Sequence, residues 1–106
     1  MSDFLTRACR ALAHPTRRAL LQALTASECD VGQLSESSDL DQPTVSKHLA
    51  ALRRAGLVQV RVDGRHRCYS LAHEEILRPL MDLLDELDRS SGPGTGSGVR
   101  PAPVRR

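Results

Sequence analysis

The chain has no tryptophan, one tyrosine and one phenylalanine. Its core is therefore expected to be built mainly from leucine, valine and alanine. Over 106 residues such a core is thin, and a thin core points to an obligate dimer. Cysteine is scarce and scattered: Cys9, Cys29 and Cys68 stand singly, with no CxxC spacing. No apolar run is long enough to span a membrane, and no stretch has the form of a signal peptide. Reduced thiols and a cytoplasmic location are therefore expected. No triplet of nucleophile, base and orienting group recurs, and no phosphate loop appears, so an enzyme is not expected.

Net charge is small, at +2, but the sign is unevenly spread. Residues 1–41 carry four Arg against six acids, and residues 72–89 carry two Arg against six acids. Residues 42–71 carry six Lys/Arg against one acid, Asp63, a local excess of +5. Such a cluster is the footprint of a nucleic-acid face. On charge alone, a solvated surface accounts for it equally well.

The cluster is centred on Asp41–Leu57, which has the marks of one helix. Asp41 is a suitable N-cap. Pro43 falls in the first turn, where a missing N–H costs nothing. Gly56 closes the helix as a residue able to take positive φ. Val45, Leu49 and Leu52 fall at i, i+4 and i+7 and form one apolar stripe. The other side carries Gln42, Thr44, Ser46, Lys47, His48, Arg53 and Arg54. Short polar residues at the front and longer cations behind suit a helix lying in the DNA major groove.

The flanking segments give this helix a context. Ser2 can cap a first helix over about residues 3–13, with Leu5, Ala8, Cys9 and Leu12 on one face and Cys9 as a small buried hydrophobe. His14-Pro15 breaks it. A second helix runs from Pro15 to about Ala26, with Leu20, Leu21 and Leu24 inward, Arg17 and Arg18 outward, and His14 as its cap. Ser27-Glu28-Cys29 is a connector. Asp30 followed by Gln33 is a capping box opening a short third helix, whose Val31 and Leu34 face the core. Ser38-Asp39-Leu40 turns into the basic helix, which completes a helix-turn-helix. Residues 57–62 form a strand, Asp63-Gly64 is a hairpin signal, and residues 65–71 return. The result is a wing whose tip presents Arg61, Arg65, His66 and Arg67. A last helix over about 74–89 places Glu74 and Glu75 in its first turn. Its stripe of Ile76, Leu80, Leu83, Leu84 and Leu87 is long for so small a domain. With the first helix it is the expected dimer surface. Pro79 demands a late start or a kink. One domain is thus expected over 1–89. From Ser90 the composition turns to Ser, Gly, Pro and Arg, and 90–106 is expected to be a disordered tail, a weak non-specific DNA arm.

In order and spacing, four segments resemble the ArsR/SmtB family of bacterial winged-helix repressors. They are Ala11–Arg18, Gln42–Leu49, Leu52–Val58, and the wing from Asp63-Gly64-Arg65 to Tyr69-Ser70-Leu71, and the resemblance spans about residues 4–89. It implies a mainly α fold with a β-hairpin wing, α-α-α-α-β-β-α, dimerised through the first and last helices. It also implies binding to an inverted repeat in promoter DNA, with an inducer, often a metal ion, releasing it. Carried onto this chain, Gln42, Thr44, Ser46 and His48 face bases. Lys47, Arg53 and Arg54 lie nearer phosphates, and Arg65 and Arg67 belong to the wing.

The effector side matches less well. Where relatives hold a thiophilic metal with Cys-x-Cys, this chain has Asp30 and Gly32, with Cys29 one residue early. A lone thiolate makes a poor soft-metal site. A second family site, joining the last helices of two protomers, falls on His73, Glu75, Glu86 and Arg89. Three of these can ligate, and Asp85 or Asp88 can stand in for Arg89. One His with carboxylates suits a divalent ion such as nickel or zinc. The alternatives are thiol sensing through Cys29 and Cys68, a repressor without a ligand, and a winged helix used as a protein–protein module. The basic face argues against the last.

Overall fold

In the computed structural model, which describes residues 3–91, the chain forms five helices and one hairpin. They are α1 (Asp3–Leu12), α2 (Pro15–Ala26), α3 (Val31–Ser38), α4 (Gln42–Arg54), β1 (Val58–Asp63), β2 (His66–Leu71) and α5 (Glu74–Ser90). This is the winged helix-turn-helix order the sequence suggests. The expected Ser2 cap and the expected tail from Gly92 onward lie outside the described residues. Ser90, expected in the tail, ends α5 instead.

α4 is held by its stripe: Val45, Leu49 and Leu52 are completely buried. They meet Leu20, Leu21 and Leu24 of α2 and Leu34 of α3 in one leucine-rich core. Burying each such side chain stabilises the fold by roughly 1.5–3 kcal/mol. The C-terminus of α4 closes as a Schellman motif. Leu57 N–H donates to Leu52 O and Gly56 N–H to Arg53 O, each at 3.0 Å, around Gly56 at φ +85°. At the other end, Asp41 is the N-cap, but its carboxylate makes no capping hydrogen bond. Pro43 removes one of the two N–H groups a cap side chain normally serves.

α3 begins with the capping box in full. Asp30 Oδ1 accepts from Gln33 N–H at 2.8 Å, and Gln33 Oε1 accepts from Asp30 N–H at 2.9 Å. Asp39, at φ 62°, makes the turn between α3 and α4. In the wing, Asp63 pairs with His66. The two-residue loop is therefore Gly64-Arg65, one residue later than Asp63-Gly64. Gly64 takes the positive φ of +64° that the first position of a type II′ turn requires. Cys29 is more than a connector. Its N–H and C=O both pair with Tyr69, at 3.1 and 2.8 Å, which adds a one-residue third rung to the hairpin.

α5 runs through Pro79 without a break. At the sixth position of the helix, Pro79 forfeits a single backbone bond, to the carbonyl of Glu75. The helix divides its apolar residues between two faces. Leu77 and Met81 are buried in the chain's own core, with Leu80 and Leu84 partly so. Ile76, Leu83 and Leu87 are 66%, 62% and 62% exposed, and Leu5 on α1 is 61% exposed. Cys9, expected among the buried residues of α1, is exposed; Ala8 and Ala11 take the inward positions.

Gly56 is under two constraints and Gly64 under one. A Cβ at either must sit in the left-handed region, at a cost of about 1–2 kcal/mol. At Gly56 it also falls 2.9 Å from Phe4 Cε1, whereas nothing lies within 4 Å at Gly64. Urea unfolding should show Gly56→Ala losing clearly more stability than Gly64→Ala. Equal losses would mean that the Phe4 contact imposes nothing.

Candidate nucleic-acid interface

With its stripe buried, α4 turns Gln42, Pro43, Ser46, Lys47, Ala50, Arg53 and Arg54 outward, all of them exposed. Five of the predicted DNA residues, Gln42, Ser46, Lys47, Arg53 and Arg54, share this surface. Ala50 lies at its centre. The i+4 spacing from Ser46 places it there, although an alanine carries no polar signal. Thr44 and His48 do not share the open face. They occupy its flank and are half-buried.

His48 is turned toward α2. Arg17 Nε donates to its Nδ1 at 3.3 Å, and the His14 ring lies 4.6 Å away at a 58° tilt. His14 is itself fixed, because its Nδ1 accepts from the Thr16 N–H at 3.2 Å and caps α2. The two arginines expected to point outward from α2 are thus half-buried and engaged. Arg17 holds His48, and Arg18 Nη1 donates to the Leu12 carbonyl at 2.6 Å. Burial, reinforced by the adjoining His14, Arg17 and Lys47, lowers the His48 pKa from its ordinary 6.5.

Beside the exposed face runs an open groove of about 690 Å³. Val31 of α3, Ser46, Ala50, Arg53 and Arg54 of α4, and Arg67 and Tyr69 of β2 line it. Among the described residues, Arg53, Arg54, Arg65 and Arg67 have no carboxylate within ion-pairing distance. Tyr69 is nearly buried. Unneutralised guanidinium groups around a concave surface are what a phosphate backbone needs. The other two cations expected at the wing tip are partly engaged. Arg61 binds Glu28 at 2.6 Å and reaches Asp63 at 3.6 Å, and His66 approaches Asp30 at 4.0 Å. The hydrogen bond from Arg61 keeps the Glu28 carboxyl below its ordinary range. This exposed pair ties the wing to the segment before α3.

One chain does not bring the effector candidates together. Glu75 and Glu86 are eleven residues apart on α5, about 16 Å along its axis. His73 begins that helix in the left-handed conformation, φ 51°, with its ring edge-on to Phe4 at 5.8 Å. Arg89 pairs with Asp85. Among the described residues no three His, Cys, Asp or Glu cluster as metal donors within the chain. The two thiols considered as sensors are also apart. Cys29 is the bridge partner of Tyr69 and shares its side of the sheet. Cys68, next to Tyr69 along β2, points to the other side. Cys29 Sγ donates to the Ser27 carbonyl at 3.4 Å. A Cys29–Cys68 disulfide within one chain therefore needs the wing to rearrange.

Known proteins share this architecture. A sequence profile described as bacterial regulatory protein, arsR family, matches residues 14–60, which span α2 to the start of β1. The HTH-type transcriptional regulator CmtR of Mycobacterium tuberculosis is 42% identical over 80 residues, 76% of this chain and 68% of that protein. The transcriptional activator HlyU of Vibrio cholerae is 37% identical over 78 residues, 74% of this chain and 71% of that protein. Among solved structures, a homodimeric winged helix-turn-helix DNA-binding domain from Mycobacterium bovis, a possible ArsR-family transcriptional regulator, superposes with a TM-score of 0.75. It is 28% identical and covers 83% of this chain and 81% of that one.

The half-buried His48 couples stability to pH. Because its folded pKa is depressed, the unfolded chain takes up the proton first as pH falls below 6.5. The contribution of neutral His48 is complete above that value and is lost below it. Urea unfolding of wild type between pH 7.5 and 5.5 should show a loss that His48→Gln reduces. An identical pH dependence in the variant would contradict this.

Proposed function

The chain belongs to the arsR family of bacterial regulatory proteins, and from that premise we propose that it is a homodimeric repressor of promoters carrying an inverted repeat. It is a DNA-binding transcriptional regulator and not an enzyme. The proposal rests on one observation. The outward face of α4 and the unpaired Arg67 of the wing border a single groove free of acidic side chains. In this reading Gln42 and Ser46 meet base edges, with Thr44 and His48 at their flank. Lys47, Arg53, Arg54, Arg65 and Arg67 meet phosphates. Assembly through α1 and α5 explains why Leu5, Ile76, Leu83 and Leu87 stay exposed in the single chain. A two-fold dimer of this kind matches the symmetry of an inverted repeat.

The effector we propose is a divalent metal ion such as nickel or zinc, held between the α5 helices of two copies. The spacing on α5 requires the second copy, because His73 and Glu75 at one end can meet only the Glu86 of a partner helix running the opposite way. One imidazole and two carboxylates suit a borderline ion. Arg89 supplies no ligand and already pairs with Asp85, which leaves Asp88 as the acid in that turn that could stand in for it. The metal would couple the two α5 helices and so the spacing of the two α4 helices.

Two measurements test these roles. In fluorescence anisotropy at fixed salt, Ser46→Ala should lose operator discrimination by about 0.5–1.5 kcal/mol. Arg53→Ala with Arg54→Ala should weaken all sequences alike and flatten the salt slope by about one per lost phosphate contact. Unchanged discrimination in the first variant removes α4 from base reading. For the effector, calorimetry with nickel and with zinc should give binding heat that His73→Ala with Glu86→Ala abolishes. Heat that persists in the double variant places the metal elsewhere.

A further inference from the structure

His48 differs from the other polar residues of α4 in having a dedicated partner outside the helix. The partner is Arg17, whose Nε donates to His48 Nδ1 at 3.3 Å. A guanidinium group stays charged and has no acceptor, so it can only donate. The nitrogen it meets must therefore be bare. A neutral imidazole with a bare Nδ1 carries its hydrogen on Nε2. The neighbours point the same way. His14 lies against the ring at 4.6 Å, and its own Nδ1 is taken by the Thr16 N–H. The groups bearing on His48 are His14 and Arg17 of the α2 segment and Lys47 of α4, with no carboxylate among them. Each of these opposes a second proton on the ring.

We propose that Arg17 is a positioning residue that holds His48 as its neutral Nε2–H tautomer, so that the recognition helix offers a hydrogen-bond donor, and no acceptor, at this position. Half-buried rather than enclosed, the ring keeps Nε2 as the nitrogen left for DNA. A fixed donor selects base edges by sign. Guanine O6 and N7, adenine N7 and thymine O4 accept in the major groove, whereas cytosine N4 and adenine N6 donate. Free histidine can offer either tautomer, and a side-chain amide can turn over to offer either sign. With Arg17 in place, His48 rejects the cytosine amino group. Arg17 thus acts on specificity from a helix outside the helix-turn-helix, through one hydrogen bond. Only this last step rests on the DNA-reading role proposed above; the tautomer is a property of the free protein.

Long-range 1H–15N correlation spectra of the histidine rings in the full chain at pH 7.5 measure the tautomer without DNA. Wild type should show His48 as Nε2–H. Arg17→Met should show a tautomer mixture, and Arg17→Lys, whose ammonium also only donates, should keep the wild-type pattern. An Nδ1–H or doubly protonated His48 in wild type overturns the proposal without recourse to any variant. So does an unchanged tautomer in folded Arg17→Met. The second arm compares operators that place an acceptor or a cytosine amino group at the position His48 contacts. Arg17→Met should reduce that discrimination by on the order of tenfold. Changed tautomers with unchanged discrimination overturn the specificity role of Arg17. An absence of operator preference in wild type, with the Nε2–H tautomer intact, overturns the DNA-reading function instead.

Discussion

Burial of Val45, Leu49 and Leu52 sets the rotation of α4 about its own axis, and what the protein presents to DNA follows from that rotation. Successive residues of an α-helix are 100° apart. Slipping the stripe by one position would put Ser46, Ala50 and Arg53 into the leucine core. A buried, unpaired guanidinium is among the most unfavourable groups to place there. The core therefore fixes which residues point outward, although its own side chains are shut off from the surface. The helix ends hold the same orientation: Pro43 presets the first turn, and the Schellman closure at Gly56 sends the chain into the wing. Phe4 packs against that glycine, so α1 shares in placing the recognition helix.

α5 follows a different rule. A helix that buried all of its apolar residues internally would leave the monomer complete. Here Leu77 and Met81 serve the chain's own core, while Ile76, Leu83 and Leu87 are left to solvent. Charge is divided by element as well. The α5 segment carries six acids against two arginines, whereas Arg53, Arg54, Arg65 and Arg67 on α4 and the wing have no carboxylate partner among the described residues. The proposed dimer and DNA surfaces thus lie on separate elements, joined through α2, which packs on both. Arg17 and His14 belong to the α2 segment, so the element between the two functions also reaches the flank of the reading helix.

Much of this was legible in the sequence because the signals were local. Asp30 and Gln33 specify a capping box, Gly56 a helix end, and the i, i+4, i+7 leucines and valine a buried stripe. The hairpin was legible too, but its loop lies one residue later. Asp63 can continue the ladder, while Gly64 is needed at positive φ. Harder features depended on neighbours distant in the chain. A helical wheel puts His48 among the base-facing residues; only the packing of α2 against α4 shows that Arg17 occupies its Nδ1. The pairing of Cys29 with Tyr69 is one residue long and leaves no periodic trace. Cys9 has the spacing of a buried residue, yet Ala8 and Ala11 fill the inward face. The candidate metal donors His73, Glu75 and Glu86 belong together only if a second copy is present, and no pattern within one chain can show that.

The most direct test of the central claim is site-specific photocrosslinking from position 50, at the middle of the exposed face of α4. Ala50 has a small side chain and no polar role, so a photoreactive residue there reports proximity while leaving the proposed contacts in place. With the buried stripe oriented as described, the crosslink should join position 50 to bases within each half of the inverted repeat. A crosslink to the second protomer, or none to an operator that the protein still binds, would show that α4 does not face DNA.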